Sequence, residues 1–171
     1  MIEYFKQEYL LEITKQKKKE MTIYLIILGV YLMISAGLFY WYMTLPYKSS
    51  QIITVKLIHY PLTIIMLVFS IIWLAVKYKR TYRTYVTAYN LLHVKNQTSE
   101  GSFLEYDERV EDKDGVDYKA LVFLEWNKFK NDYFERKVLV FEQLPMPQIP
   151  ENAKVKYVTQ GNVLIRYEIL D

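Results

Sequence analysis

The chain has 171 residues, 22 lysines and arginines against 19 acids, no cysteine and only five glycines. This length suits one or two small units and excludes a large multidomain enzyme, and so few glycines leave little material for phosphate-cradling loops. The net charge of +3 conceals a division: residues 1–99 carry 12 basic and 4 acidic side chains, whereas residues 100–171 carry 10 and 15.

The leader MIEYFKQEYLLEITKQKKKE, residues 1–20, puts Ile2, Phe5, Tyr9 and Ile13 on one helical face. It predicts a short cytoplasmic amphipathic helix that either meets residues 77–92 or lies in the lipid interface. Met21 to Tyr47 is a run of 27 residues without a charge, and Leu57 to Val76 is another of 20. At about 1.5 Å per residue, roughly 20 apolar residues cross a bilayer core about 30 Å thick. The sequence therefore predicts a membrane hairpin within residues 21–92, with spans over 22–45 and 57–76. The first run is about twice the 7–15 residues of a signal-peptide core, so it reads as an uncleaved anchor.

Lys15, Lys17, Lys18 and Lys19 precede the first span, and Lys77, Lys79, Arg80 and Arg83 follow the second. Cations at span ends favour the cytoplasmic side and suit anionic lipid. The expected location is the cell membrane, multi-pass, with both termini cytoplasmic. Pro46 and Ser49-Ser50 mark the external turn. Pro61 is placed in the first turns of the second span, beside the lone His59. Gly29 and Ala36 on one span, and Thr63 and Ser70 on the other, offer close-approach faces for packing the spans together.

In KYKRTYRTYVTAYNLL, residues 77–92, Tyr78, Tyr82, Tyr85 and Tyr89 recur at helical spacing. Lys79, Arg80 and Arg83 fall on the flank and back of that helix. The tyrosine stripe is read as a helix-packing face and the cations as topology and lipid determinants. This separation of rings from cations, with the acidity of residues 100–171, argues against nucleic acid as a partner.

Residues 93–100 read as a linker. Beyond it come short runs with strand character, Phe103 to Glu111, Val116 to Lys128, Tyr133 to Glu142, Lys154 to Thr159 and Val163 to Leu170. They are separated by DKDG, FKND, a proline-rich loop and TQGN. They predict a small five-stranded antiparallel barrel over 101–171, SH3-like or OB-like, that folds alone from about residue 98. Tyr118, Ala120, Val122, Leu124 and Trp126 share one face of the second run and are assigned to the core. Leu121 and Phe123 lie on the other face and are assigned to protein contact.

The acids Asp107, Glu108, Glu111, Asp112, Asp114 and Asp117 cluster around DKDG. A calcium loop fails, because Val110 and Leu121 occupy its first and twelfth positions. The cluster reads as a solvated hairpin tip. His93 has no serine or acid at a motif spacing, and HExxH and CxxC are missing. The sequence predicts no enzyme, no catalytic or metal-ligating residue and no cofactor.

IPENAKVKYVTQGNVLIRYE, residues 149–168, resembles the closing hairpin of the NfeD-like bacterial membrane proteins. That likeness implies two spans, an OB-type cytoplasmic barrel and membrane-scaffold partners. The glycine-rich opening of that barrel has no counterpart in EGSFLEYDERVEDKDGVDYKAL, and no functional residue is carried across. The expected function is non-enzymatic: a membrane hairpin presenting a small β-domain to a membrane or cytoplasmic protein, or to a second copy. An oligomeric channel or transporter subunit and a toxin-immunity protein are the alternatives.

Overall fold

A computed structural model describes residues 1–127 and 131–170. The chain divides into two compact units. One combines Met1–Ile13 with Arg83–Asp171, and the other is Thr14–Tyr82.

The helical unit lies within two long helices. Helix α1 runs without a break over Gln7–Thr44, so most of the leader and the first span form one element. After a short turn in which Lys48 takes a positive φ of 66°, α2 covers Gln51–Ile72. It continues through a π-helical stretch, Trp73–Tyr78, into α3, Lys79–His93. Both helical runs are long and apolar enough to cross a membrane. Because α2 starts at Gln51 and not near residue 57, Pro61 sits in the helix interior rather than in its first turns.

The seam between α1 and α2 is polar at regular intervals. The Tyr31 hydroxyl shares a 3.1 Å hydrogen bond with Thr63 Oγ1, and Tyr24 donates to Ser70 Oγ at 3.3 Å. Trp73 Nε1 donates to the Glu20 carbonyl at 3.3 Å, and Lys77 Nζ lies 3.2 Å from the Glu20 carboxylate. Residues 24 and 31 on one helix and 63 and 70 on the other are each seven apart, the repeat that keeps one face aligned along an antiparallel pair. Thr63 and Ser70 thus face α1 as their spacing predicts. Gly29 is not their counterpart, for an added Cβ there meets nothing within 4 Å. Tyrosine hydroxyls, rather than small residues, meet the second helix.

The second unit is a barrel. Strand β1 is Ile2–Glu3, and β2 (Gln97–Lys113), β3 (Val116–Asn127), β4 (Asp132–Phe141), β5 (Lys154–Gln160) and β6 (Val163–Leu170) follow α3. Strand β2 begins inside the segment read as a linker. Lys128, at the expected end of the second run, and much of the FKND turn lie outside the described residues. The turns contain Asp114-Gly115 and Gly161-Asn162, with φ positive at all four residues, as two-residue hairpin loops require.

The long β2 pairs with β5 through Gln97–Ser102 and with β3 from Ser102 to Lys113, and this change of partner curls the sheet. Gly101 sits at the crossover, where a Cβ would come within 3.0 Å of the Leu124 carbonyl oxygen. Antiparallel β5–β6 pairing and a β4–β6 bridge at Leu139↔Val163 close the barrel. That last bridge is parallel, so the expected all-antiparallel barrel is corrected to a mixed one. Its cause is parity: an odd number of alternately directed strands cannot close without one like-directed pair.

β1 takes the edge of β6 that β4 leaves, pairing Ile2 with Tyr167 and Glu3 with Arg166. Tyr4 and Phe5 then donate their amides to the Ile165 carbonyl at 2.9 Å. The first residues are therefore strand and bridge, with the helix starting only at Gln7.

Two apolar clusters share the strands. Phe103, Leu121, Phe123, Val138, Val140, Val155, Tyr157 and Leu164 fill the barrel. Tyr118, Ala120, Leu139, Phe141, Val163 and Ile165 form an outer face, covered by Phe5, Ala88 and Leu91. This corrects the assignment of Leu121 and Phe123 to a contact surface, since both are fully buried. β3 is enclosed on both faces over much of its length, and its interior face is the one carrying those two residues.

Candidate functional site

The exposed feature of the barrel unit that most resembles a binding surface is the far end of the β3–β4 hairpin. β2 pairs with β3 only as far as Ser102↔Leu124, while β3 and β4 remain paired to Asn127↔Asp132. The β4–β6 bridge, Leu139↔Val163, lies well short of that end. Glu125, Trp126 and Asn127, paired with Phe134, Tyr133 and Asp132, therefore form a two-stranded arm. Trp126 and Tyr133 face each other across it, edge to face, with ring centroids 4.8 Å apart. Trp126 is 46% exposed and Tyr133 60%, and Phe134 is also exposed. Tryptophan and tyrosine combine large apolar rings with a polar group, and they are enriched among residues that dominate binding energy.

By the alternation of β3, Trp126 is assigned to the core. It lies instead beyond the point where β2 and the helices cover the strand. Alternation gives the face of a residue but not where its cover ends. The opposite end of β3 meets α3, where Arg83 donates to the Asp114 carbonyl at 2.7 Å beside Gly115.

A partly buried polar cluster braces the root of the arm. Arg136 on β4 donates to Ser99 Oγ at 2.9 Å, Glu125 Oε1 at 3.2 Å and Asn162 Oδ1 at 3.0 Å, with Thr159 Oγ1 at 3.4 Å. The Tyr157 hydroxyl donates to the same Glu125 carboxylate. Burial pushes the Tyr157 phenol well above its ordinary range, and the adjacent Glu125 carboxylate adds to the shift. The cluster ties β2, β3, β4, β5 and the β5–β6 turn together. Its phenol, carboxylate and guanidinium satisfy one another, which suits bracing rather than acid–base chemistry.

The acids near DKDG are engaged locally. Asp107 and Glu111 hold Lys137 Nζ at 2.9 and 2.7 Å, and Asp112 accepts the Gly115 amide at 2.9 Å. The Lys137 hydrogen bond holds the Asp107 carboxyl below its ordinary range. Among the described residues, no group of three His, Cys, Asp or Glu side chains is placed to hold a metal. Tyr106 pins the proline-rich loop, accepting the Ile149 amide at 2.8 Å and lying 2.9 and 3.0 Å from the Ile149 and Pro147 carbonyls. His93 stacks on Tyr89 at 4.1 Å.

The tyrosine stripe forms two ring pairs along its own helix, Tyr78–Tyr82 at 6.3 Å and Tyr85–Tyr89 at 6.2 Å. Tyr82 and Tyr89 are exposed. The residues of α3 buried against the barrel are Ala88 and Leu91, roughly a third of a turn away at about 100° per residue. Of the cations, Lys15, Lys17, Lys18 and Lys19 lie on α1, Lys77 in the π-helical stretch, and Lys79, Arg80 and Arg83 on α3. Lys17 sits over the Tyr82 ring at 5.5 Å and Lys77 over Trp73 at 4.2 Å.

No family model, no curated protein and no solved structure matches this chain.

Proposed function

We propose that the protein is a non-enzymatic membrane protein that crosses the bilayer twice and presents its barrel on the cytoplasmic side for protein contact. The observation that carries the reading is the composition of the barrel unit, which joins Met1–Ile13 to Arg83–Asp171 in one core. Segments folded into one core lie on one side of any membrane that the intervening residues cross. The crossings between them must then be even in number, and two apolar helices supply two. The cations flanking both helices support the cytoplasm as that side. Lys15, Lys17, Lys18, Lys19, Lys79 and Arg80 contribute attraction to anionic lipid of about 1 kcal/mol each near the surface, whereas Lys77 is paired with Glu20. Arg83 has an additional task at the Asp114 turn.

The contact surface is the arm, where Trp126, Tyr133 and Phe134 stand exposed on a braced root. A photocrosslinking residue at Tyr133 in cells should give a discrete protein adduct that Trp126→Ala removes, whereas the same probe at Lys119 should give none. Equal adducts from both sites would refute the arm as the contact surface. Separately, a cysteine at Ser49 should react with an impermeant thiol reagent in intact cells, and one at Ser102 should not. The reverse pattern would overturn the orientation.

A further inference from the structure

At the end of the helical unit formed by the α1–α2 turn, a groove of about 310 Å³ lies between the last turns of α1 and the first turns of α2. Leu38, Phe39 and Val55 give it apolar walls, and Tyr42, Lys56, His59 and Tyr60 complete the lining. No carboxylate lines it. Val55 is buried at the floor, while Tyr42 and Tyr60 are exposed at the rim. Lys56 makes no ion pair among the described residues. His59 Nδ1 is buried without a hydrogen-bond partner there. A desolvated ring nitrogen left unpaired is costly.

We propose that this groove binds an anionic amphiphile, a single ionised headgroup carried on an aliphatic chain. The charge selects the headgroup: Lys56 and His59 bring a cation and an imidazole to one wall, three residues apart on one helix face. The phenols of Tyr42 and Tyr60 add hydroxyls that donate to oxygen. Leu38, Phe39 and Val55 select an aliphatic continuation over a bare ion. Small-molecule sites run from about 300 to 1,000 Å³, so this groove takes a headgroup and its first methylenes. The remaining chain lies along exposed apolar side chains such as Ile53 and Leu57. Carboxylate and phosphate heads share this chemistry. The site is separate from the lysines at the other end of the helices, and it depends on the folded hairpin rather than on its orientation in a cell.

The test is a titration of the purified full chain in an uncharged detergent, followed by native mass spectrometry or calorimetry. The probes are oleate, phosphatidylglycerol, phosphatidylcholine and inorganic phosphate. Oleate or phosphatidylglycerol should bind at one saturable site, at least tenfold more tightly than phosphatidylcholine, and phosphate alone should not bind. Lys56→Gln and His59→Gln should each weaken binding about tenfold with the thermal melt unchanged. Lys56 is at the rim, so its replacement tests the headgroup contact without disturbing packing. Unchanged affinity in Lys56→Gln, equal binding of phosphatidylcholine, saturable binding of phosphate alone, or no binding of either anionic probe would overturn the proposal. Cysteine labelling in cells leaves this result untouched, so failure of the proposed topology is distinguishable from failure of the site.

Discussion

Replacing Phe5 by alanine tests whether the first residues of the chain belong to the barrel. Phe5 is fully buried, 5.6 Å from the Phe141 ring and 6.1 Å from Tyr9, in a cluster with Ala88, Leu91 and the outer face of four strands. Truncating a buried phenylalanine costs about 3–5 kcal/mol, combining lost transfer free energy with the cavity left behind. Domains of this size are stable by about 5–15 kcal/mol, so the change removes a large part of the total. Denaturant unfolding of the full chain in detergent, followed by near-ultraviolet circular dichroism, reads the loss. Glu3→Ala, at an exposed strand position, is the control and should fall within about 0.5 kcal/mol of the parent. The same reasoning predicts that residues 98–171 alone do not melt cooperatively, because that fragment uncovers Tyr118, Leu139, Phe141, Val163 and Ile165. Restoring residues 83–97 and supplying residues 1–13 should recover the transition. If Phe5→Ala unfolds with the parent, or the 98–171 fragment melts as sharply as the whole unit, the leader is not part of this core.

Trp126→Ala should cost less than about 1 kcal/mol, because the indole is half exposed, whereas Phe123→Ala should cost about 3–5; thermal melts of the two variants compare them, and equal losses would refute the assignment of faces. Alkali should unfold the barrel from about pH 10 upward. Burial raises the Tyr118 and Tyr157 phenols above their ordinary value of 10.0, so the folded state keeps protons that the unfolded state releases. Their contribution is complete below pH 10 and declines as pH rises toward the folded values, at about 1.4 kcal/mol per pH unit for each phenol. Unfolding free energies measured at several alkaline pH values check this, and Tyr157→Phe should flatten the slope. A flat profile from pH 10 to strong alkali would contradict the burial of both rings.

Much of the barrel was legible because strand ends are written in local chemistry. Asp114-Gly115 and the residues around Gly161 demand positive φ, and the runs between such points can only be as long as they are. Which face of a strand points inward is a different kind of information. β3 is apolar on both sides because Tyr118 and Ala120 meet helices while Leu121 and Phe123 meet the opposite barrel wall. Period-two alternation separates two faces and leaves open which is inner. The covering residues, Phe5, Ala88 and Leu91, come from segments on either side of the helical hairpin; the leader's apolar face marks Phe5, but no local pattern shows that the barrel is what it covers. For the same reason Trp126 looked like a core residue: its neighbours on that face are covered, and the cover stops before reaching it.

The helices show the complementary case. Thr63 and Ser70 are correctly placed by spacing, yet their partners, Tyr24 and Tyr31, sit in a run that otherwise reads as uniformly apolar. Only the pairing of the two helices distinguishes those tyrosines from Tyr40 or Tyr42. The π-helical stretch is equally silent in sequence. WLAVKY contains neither proline nor glycine, but a widened turn places Trp73 and Lys77 together against Glu20, with indole and ammonium meeting one residue of α1. An ordinary helix also brings residues four apart to similar faces, so the spacing alone could not reveal the change in hydrogen bonding. What the stretch meets on α1 is Glu20. Glu20 is almost fully buried, and a buried carboxylate left without a cation is strongly destabilising. Lys77 supplies that cation while its ammonium lies over the Trp73 ring, so the last polar contact of the seam depends on both residues reaching the same position on α1.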